Sequence, residues 1–233
     1  MLCRSAKLAY GKEELQIIHI CDSQTNPIEG SDQSFKADHL PIDTIMYARL
    51  LAYEQAAKAI QEPLIFIDTD MLITKPIQSS ALSNSPILCR RSFGNEAQGA
   101  IQAQTPNGLI NFNFDPNQTL GELFPFLGCY LETASHDFLE SSRAYLSSQS
   151  RDLQQWYGDQ IAIKEVAQQG NYVIQEVPER THACLPEKLG LSPIEEVHIL
   201  HFKGQRKQQM PHFLEHFEQY GIQEVLQSFQ LKI

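Results

Sequence analysis

The most informative segment of the sequence about the fold is Pro63-Leu64-Ile65-Phe66-Ile67-Asp68-Thr69-Asp70. Its apolar part has no polar interruption, which is typical of a strand covered on both faces in an α/β domain. Ligands bind outside the carboxyl ends of strands in such sheets, and a turn there lets Asp68 and Asp70 converge. The stretch therefore predicts a site for one hard divalent cation. The alternative interpretation is that the two aspartates only cap or solvate the turn.

Strand-like and helix-like segments alternate on both sides of this stretch, which favours one α/β domain over the 233 residues. We expect a mostly parallel twisted sheet flanked by helices, with Leu64 to Ile67 as an inner strand. The sequence also predicts long loops over residues 23–44 and 94–118. The predicted helices span residues 2–10, 45–60, 135–147, 152–169 and 211–229, and the predicted strands span residues 15–21, 63–67, 86–89, 126–131, 172–174 and 197–202.

The composition excludes several classes of protein. With 18 basic and 28 acidic residues the net charge is −10, which argues against nucleic acid or an anionic membrane as the main partner. No apolar run approaches the roughly 18 residues of a membrane span. Five cysteines without a CxxC pair favour reduced thiols over a disulfide framework or a zinc site. We therefore expect a cytoplasmic protein with no membrane span and no nucleic-acid partner.

A second segment with suitable chemistry runs from His198 to Lys207. His201 ends a strand-like run, Gly204 allows close backbone approach, and Lys207 adds a positive charge three residues later. An imidazole, a glycine turn and a lysine suit a metal-bound diphosphate. The alternative is a buried strand histidine followed by a solvated basic turn. His198 cannot share a strand face with His201, so we interpret it as structural.

Two further features are weaker evidence for a functional site when each is taken alone. Asp159 and Gln160 lie together near the predicted start of a helix, where a carboxylate is also favoured by the helix dipole alone. Arg49 lies inside the helix that precedes the apolar strand. It is either an anion clamp or a surface residue whose stem covers apolar neighbours.

In this order, the features resemble the nucleotide-sugar glycosyltransferases of the GT-A fold. The similarity is to the family-eight type, which includes glycogenin and bacterial galactosyltransferases. The ordered set is more specific than any of its members. The matching segments span most of the chain: Met46-Tyr47-Ala48-Arg49-Leu50, Leu64 to Leu72, Phe126-Leu127-Gly128-Cys129-Tyr130, Asp159-Gln160, and His201 to Lys207.

The resemblance implies a metal-dependent hexosyltransferase that uses a nucleotide-diphosphate donor, with a UDP-sugar expected. It implies that Mn2+, or Mg2+, is the cofactor. The acceptor would be a saccharide, a lipid or a protein. By position, the resemblance implies that Asp68, Asp70 and His201 are the metal ligands. It implies that the donor is bound by Arg49, Thr69, Gly204 and Lys207. The implied catalytic residues, beside the reacting sugar carbon, are Asp159 and Gln160.

The sequence departs from the family pattern in three places. The helix predicted at residues 2–10 is not preceded by the strand that binds the nucleobase in the family, so we expect a domain that is incomplete at its N-terminus. Phe126 stands where the family usually has a sugar-binding asparagine, and Gln208-Gln209 replace a Pro-Trp pair. These departures keep open a non-catalytic glycosyltransferase remnant that binds a sugar or nucleotide.

Two other classes of protein share some of these sequence features. A haloacid-type phosphatase also has a DxD after an apolar strand, with the first aspartate as nucleophile. It normally places that strand near the N-terminus and needs a later acidic pair, whereas this DxD begins at Asp68 and the sequence contains no Asp-Asp pair. The remaining alternative is a scaffolding protein unrelated to sugars.

Overall fold

The structure, a computed structural model, describes residues 1–11, 15–81, 85–94, 99–105, 107–191 and 193–230. Residues 95–98 and 106 of the predicted loop 94–118 therefore lie outside the described residues. In chain order the elements are α1 (Leu2–Tyr10), β1 (Ile18–Cys21), β2 (Gln33–Lys36), α2 (Ile45–Ile60), β3 (Leu64–Ile67), β4 (Met71–Ile73), β5 (Ile87–Arg90), β6 (Ala100–Thr105), β7 (Gly108–Asn113), α3 (Leu120–Leu123), β8 (Phe126–Thr133), α4 (Asp137–Ser147), α5 (Arg151–Gln155), α6 (Gly158–Gln168), β9 (Gln175–Pro178), α7 (Glu179–His182), β10 (Ile199–His201), α8 (Met210–Tyr220) and α9 (Ile222–Gln230). Short 3-10 helices span Pro186–Leu191, Ile194–Glu196 and Gly204–Gln209.

The largest sheet has the strand order β3-β8-β5-β9. Strand β8 is antiparallel to both of its neighbours, and β5 is parallel to β9. Three further pairs form separately, with β1 parallel to β2, β10 antiparallel to β4, and β6 antiparallel to β7. The chain is thus mixed α/β, as predicted, but a mostly parallel sheet is not confirmed. An apolar run indicates that both faces of a strand are covered. It does not indicate whether the neighbouring strand is parallel or antiparallel.

Strand β3 is not the inner strand that the sequence predicts. Among the described residues it pairs only with β8 and stands at one end of its sheet. Both of its faces are nevertheless covered, because Phe66 belongs to the core on one side and Ile65 and Ile67 pack against the core on the other. Because both faces of β3 are covered, its sequence is apolar even though no second strand pairs with it among the described residues.

Two apolar layers enclose the large sheet. On one face α2, α4 and α6 pack around a core that includes Leu50, Leu131 and Ile163. On the other face a second core, with Met71 and Ile199, lies between the sheet and the β4–β10 pair. Helices α8 and α9 cover the outside of that pair through a third cluster. The DxD turn lies where these layers meet, between β3 and β4.

Several elements differ from their predicted bounds. The predicted loop 23–44 contains β2, and the segment 94–118 contains the β6–β7 hairpin. The helix predicted at 152–169 breaks into α5 and α6, because Tyr157 adopts a left-handed conformation (φ 62°). The last helix breaks at Gly221, with φ 85°, and the strand predicted at 172–174 lies at β9 instead. Helix α1 has its predicted bounds and ends at Gly11.

The five cysteines all lie in the described part of the chain, where each is buried with a free thiol. Two of them, Cys89 and Cys129, belong to the core beneath the DxD turn. Burial raises the pKa of both thiols. Within the described ranges, no helix combines the length and the apolar character needed to cross a membrane.

Candidate functional site

Asp68, Asp70 and His201 converge, as the sequence predicts. Asp68 follows β3 directly and donates its backbone N–H to the Cys129 carbonyl, which continues the ladder to β8 (3.1 Å). The antiparallel register of β4 and β10 sets His201 opposite Met71, and the next residue, Phe202, donates its N–H to the Asp70 carbonyl (2.8 Å). One ligand atom from each of the three side chains lies within 4.8 Å of the others. Strand pairing, not sequence proximity, brings the histidine to the carboxylates.

The two carboxylates have different electrostatic environments. Burial raises the pKa of Asp68, and the neighbouring Asp70 adds to this, while Arg49 acts against it. Burial alone would also raise the pKa of Asp70, but His201 and Lys207 beside it bring that pKa well below its usual range. Asp70 therefore stays ionised near neutral pH, as a ligand for a cation must.

His201 is the most enclosed member of this group. It is 6% exposed, and its Nε2 lies 3.6 Å from Asp70 Oδ1. Its Nδ1 is buried and has no hydrogen-bond partner in the described part of the chain. A buried imidazole nitrogen without a partner is costly unless the site gains one when a ligand binds.

Gly204 and Lys207 lie on the 3-10 helix that follows β10. Gly204 has φ 66° and no atom within 4 Å of an added Cβ, so its conformation rather than its surroundings requires glycine. The helix brings Lys207 Nζ to 3.0 Å from Asp70 Oδ2, while 60% of the lysine side chain remains exposed. Lys207 can therefore contact both the carboxylate and a bound anion.

Arg49 links the DxD turn to α6. Its Nη2 lies 3.3 Å from Asp68 Oδ1, and its Nη1 lies 2.9 Å from Asp159 Oδ2. Nη1 also donates to the Gly128 carbonyl at 3.3 Å. Burial by itself lowers the pKa of Arg49, but Asp159 and Asp68 outweigh it and raise that pKa further. Arg49 is thus a partly buried bridge between two carboxylates, and not a surface residue.

Asp159 and Gln160 lie in the first turn of α6, as predicted. Asp159 is 1% exposed and accepts the Gln160 backbone N–H at its Oδ1 (2.9 Å). Gln160 Oε1 accepts from Arg91 Nη2 at 3.2 Å. Arg49 therefore connects Asp159 to the DxD turn, whereas the carboxamide oxygen of Gln160 is engaged by a different arginine, Arg91.

Sequence reasoning missed Arg91. Its Nε donates to the Phe124 carbonyl at 2.9 Å, and burial lowers the pKa of its guanidinium. It follows directly after β5. The signal that singled out Asp68, a polar side chain at the carboxyl end of an apolar strand, was therefore also present at Arg91.

A cavity of about 580 Å3 opens beside these groups. Its polar end is lined by Arg49, Asp68, Thr69, Asp70 and Lys207, and the rest of its wall is largely apolar. Thr69 is exposed to it, as expected of a residue that contacts a ligand.

The donor set at the DxD turn fits a divalent cation. Two carboxylates and one imidazole within 4.8 Å match the preferences of Mn2+, and the oxygen ligands also suit Mg2+. A second group that could hold a metal, formed by His136, Asp137 and Glu140 at the start of α4, has both carboxylates exposed. The described residues thus offer a partly enclosed cation site only at the DxD turn.

No protein-family model matches the sequence, and no curated protein matches it.

Proposed function

We propose that the protein is a metal-dependent glycosyltransferase with a GT-A-like fold, similar to family eight. In this proposal it transfers a sugar from a nucleotide-diphosphate donor, with a UDP-sugar expected, to a saccharide, lipid or protein acceptor. The observation that carries the proposal is the convergence of Asp68, Asp70 and His201 within 4.8 Å, beside a cavity that the two aspartates line together with Lys207. Buried free thiols are typical of a reducing compartment, and a cytoplasmic location belongs to the same proposal.

The formal charges of the site support a diphosphate ligand. Three aspartates at positions 68, 70 and 159 face Arg49 and Lys207, which leaves one negative charge in excess. A divalent ion changes this excess into one positive charge. An anionic diphosphate would then be attracted to a site that repels it when the metal is absent.

Each residue has a distinct task in the proposed reaction. Asp68, Asp70 and His201 would hold Mn2+ or Mg2+, which supplies positive charge as the diphosphate leaves. Lys207, with its exposed ammonium group, binds the diphosphate oxygens. Arg49 holds Asp159 in place at 2.9 Å, so that this carboxylate and Gln160 flank the donor sugar. Gly204 gives the turn its left-handed conformation, and Thr69 contacts the donor from the wall of the cavity.

Thermal shift in the presence of UDP or UDP-sugars, with and without MnCl2, tests the proposal. At ligand concentrations near 100 times Kd we expect stabilisation of about 2.7 kcal/mol, which for a chain of this length is roughly 5–10 °C in Tm. The shift should require the metal. Asp70→Asn should abolish it and should also lower the metal-free Tm, because His201 and Lys207 stabilise the ionised form of this carboxylate in the folded chain.

Two matched controls locate the effect. Asp137→Asn removes a carboxylate from the other possible metal group, and Asp38→Asn removes an exposed one elsewhere, so both variants should retain the full shift. If Asp137→Asn alone abolishes it, the site assignment is wrong.

Release of UDP from UDP-sugars separates the enzyme from the non-catalytic remnant. We expect metal-dependent release that Asp159→Asn reduces strongly and Asp38→Asn leaves unchanged. Metal-dependent binding without any release would favour a remnant that only binds sugars or nucleotides. Absence of both metal-dependent binding and UDP release would refute the proposed transferase activity.

A further inference from the structure

Among the described residues, Arg91 differs from the other half-buried arginines because it has no carboxylate partner. The other half-buried arginines are Arg49, Arg143 and Arg206, and each of them pairs with an aspartate or a glutamate. The guanidinium of Arg91 donates to two neutral oxygens instead. An arginine stays charged at any ordinary pH. Arg91 is therefore a partly enclosed cation whose charge the described residues do not neutralise.

Glu179 is the acidic residue that acts most strongly on Arg91, but its carboxylate is engaged elsewhere. Its Oε2 accepts the backbone N–H groups of Ser92 and Phe93 at 2.8 and 2.9 Å. Its Oε1 is buried and has no hydrogen-bond partner in the described part of the chain, so Arg91 does not reach it. Burial lowers the pKa of Arg91, and the charge of Glu179 does not offset this effect. A cation in such a place is stabilised when an anion binds to it.

The guanidinium has one nitrogen that remains open. Nε donates to the Phe124 carbonyl at 2.9 Å, and Nη2 donates to Gln160 Oε1 at 3.2 Å. Nη1 has no hydrogen-bond partner within the described ranges, and it is not one of the enclosed atoms that lack a partner there, so solvent reaches it. The N–H groups of Nη1 are thus available to an oxyanion, while the other two contacts hold the guanidinium in place.

Gln160 stands where a carboxylate would cancel the charge of Arg91. A glutamate at this position would form an ion pair with the guanidinium. The carboxamide instead turns Oε1 to Arg91, because arginine has only donors, and fixes the guanidinium without neutralising it. Arg91 and Gln160 therefore present a positive charge in a fixed position, which lowers the cost of binding an anion.

This charge is separate from the cavity beside the DxD turn. Neither Arg91 nor Gln160 is among the described residues that line that cavity. Gln160 follows Asp159, whose Oδ2 contacts Arg49 Nη1 at 2.9 Å. Two arginines thus contact successive residues of α6. Arg49 is the one that also contacts the metal group, whereas Arg91 lies outside the cavity.

We propose that Arg91 and Gln160 form a second anion site, which binds a carboxylate or phosphate group of the acceptor substrate. The diphosphate of the donor belongs at the DxD turn with the metal, so an anion at Arg91 belongs to the other substrate. The assignment to the acceptor rests on the proposed function, whereas the anion site itself rests on the contacts of Arg91.

Titration of the metal-free protein with sodium phosphate and, separately, with sodium acetate tests the anion site. Tm and the NMR cross-peak of the Arg91 Nε–H are followed at constant ionic strength. We expect a saturable shift of the cross-peak and a rise in Tm with at least one of the two anions. The anion that binds more tightly identifies the group on the acceptor as phosphate or carboxylate.

Three variants locate the binding by their effect on the Tm shift. Arg91→Met removes the cation, and Gln160→Glu supplies a carboxylate that takes the place of the anion, so each should weaken binding at least about tenfold. Gln160→Glu keeps Arg91 and its contacts, which makes the test independent of whether Arg91→Met folds. Arg180→Met, at an exposed position on α7, should bind within about twofold of the unmodified chain.

Two results of the metal-free titration would overturn the anion site. Absence of saturable binding of both anions would mean that the open side of Arg91 is only solvated. Loss of binding in Lys207→Met but not in Gln160→Glu would place the anion at the DxD turn.

A phosphate titration in the presence of Mg2+ and UDP separates the acceptor from the donor. We expect the phosphate affinity at Arg91 to change by less than about twofold, because the two sites are distinct. Displacement of phosphate from Arg91 by Mg2+ and UDP would assign Arg91 to the donor and overturn its role toward the acceptor. If UDP does not bind, the proposed function fails, and the metal-free titration still decides the anion site.

Discussion

At the scale of single residues, the close contact at Gly128 determines whether Arg49 and Asp159 can meet. A Cβ at this position would lie 2.4 Å from Asp159 Oδ2 and 3.2 Å from Arg49 Nη1. Asp159 is almost fully buried and has little room to move. We expect Gly128→Ala to destabilise the fold by about 1–3 kcal/mol, measured by denaturant unfolding.

A double-mutant cycle separates this clash from a general effect of alanine in β8. Asp159→Ala removes the clashing carboxylate, so Gly128→Ala should cost less in that background. We expect the double variant to lose less free energy of unfolding than the sum of the two single losses, by more than about 0.5 kcal/mol. Additive losses would mean that the contact at Gly128 is not what excludes a side chain.

At the scale of secondary-structure elements, the packing of α2 against α4 depends on a buried carboxylate. Glu54 on α2 is paired with Arg143 on α4 and accepts from Lys58 Nζ at 2.7 Å. Glu54→Gln would leave the mostly buried Arg143 without its charged partner, at a cost of about 1–3 kcal/mol in the free energy of unfolding. Denaturant unfolding at neutral pH measures this change.

Lys58 provides the control for that prediction. It contacts the same carboxylate but is 41% exposed, so Lys58→Gln should change stability by less than about 0.5–1 kcal/mol. Both variants should retain the metal-dependent thermal shift, because neither side chain contacts the DxD turn. Equal losses for Glu54→Gln and Lys58→Gln would contradict a special role for the Glu54–Arg143 pair.

At the scale of the whole molecule, the free energy of unfolding should decrease as the pH is lowered, because of the half-buried His182. Burial, and to a lesser extent His198, lowers the pKa of His182 to about 4. Its ring stacks on that of His198 and meets Tyr130 edge-on. Between pH 6.5 and 4 the unfolded chain binds a proton at this position that the folded chain does not. Folding therefore loses stability as the pH falls through this window, on the order of 2–3 kcal/mol from this residue.

Comparison of variants isolates this contribution from that of the carboxylates. His182→Gln cannot take up the proton, so its free energy of unfolding should decline less than that of the unmodified chain between pH 7 and pH 4. His212→Gln, at an exposed position on α8, should follow the unmodified chain. Parallel pH profiles for all three proteins would show that His182 is not responsible.

Elements with local sequence signals could be predicted before the structure was known. An uninterrupted apolar run predicted β3, and the DxD after it indicated Asp68 and Asp70 as candidate metal ligands. The bounds of α1 followed from its apolar spacing and Gly11. These predictions succeeded because burial of both faces and glycine's left-handed conformation leave a mark in neighbouring residues. The polar strand β2 leaves no such mark, and β4 is apolar but only three residues long, so sequence reasoning missed both.

The way in which these elements pack together could not be predicted from the sequence. The strand directions, the position of β3 at the end of its sheet and the cavity beside it depend on contacts between distant segments. The same holds for the bridge that Arg49 makes from Asp68 to Asp159 and for Arg91 at Gln160. Sequence periodicity specifies which faces are buried, whereas the partner of a strand edge or a buried charge is set by the path of the whole chain.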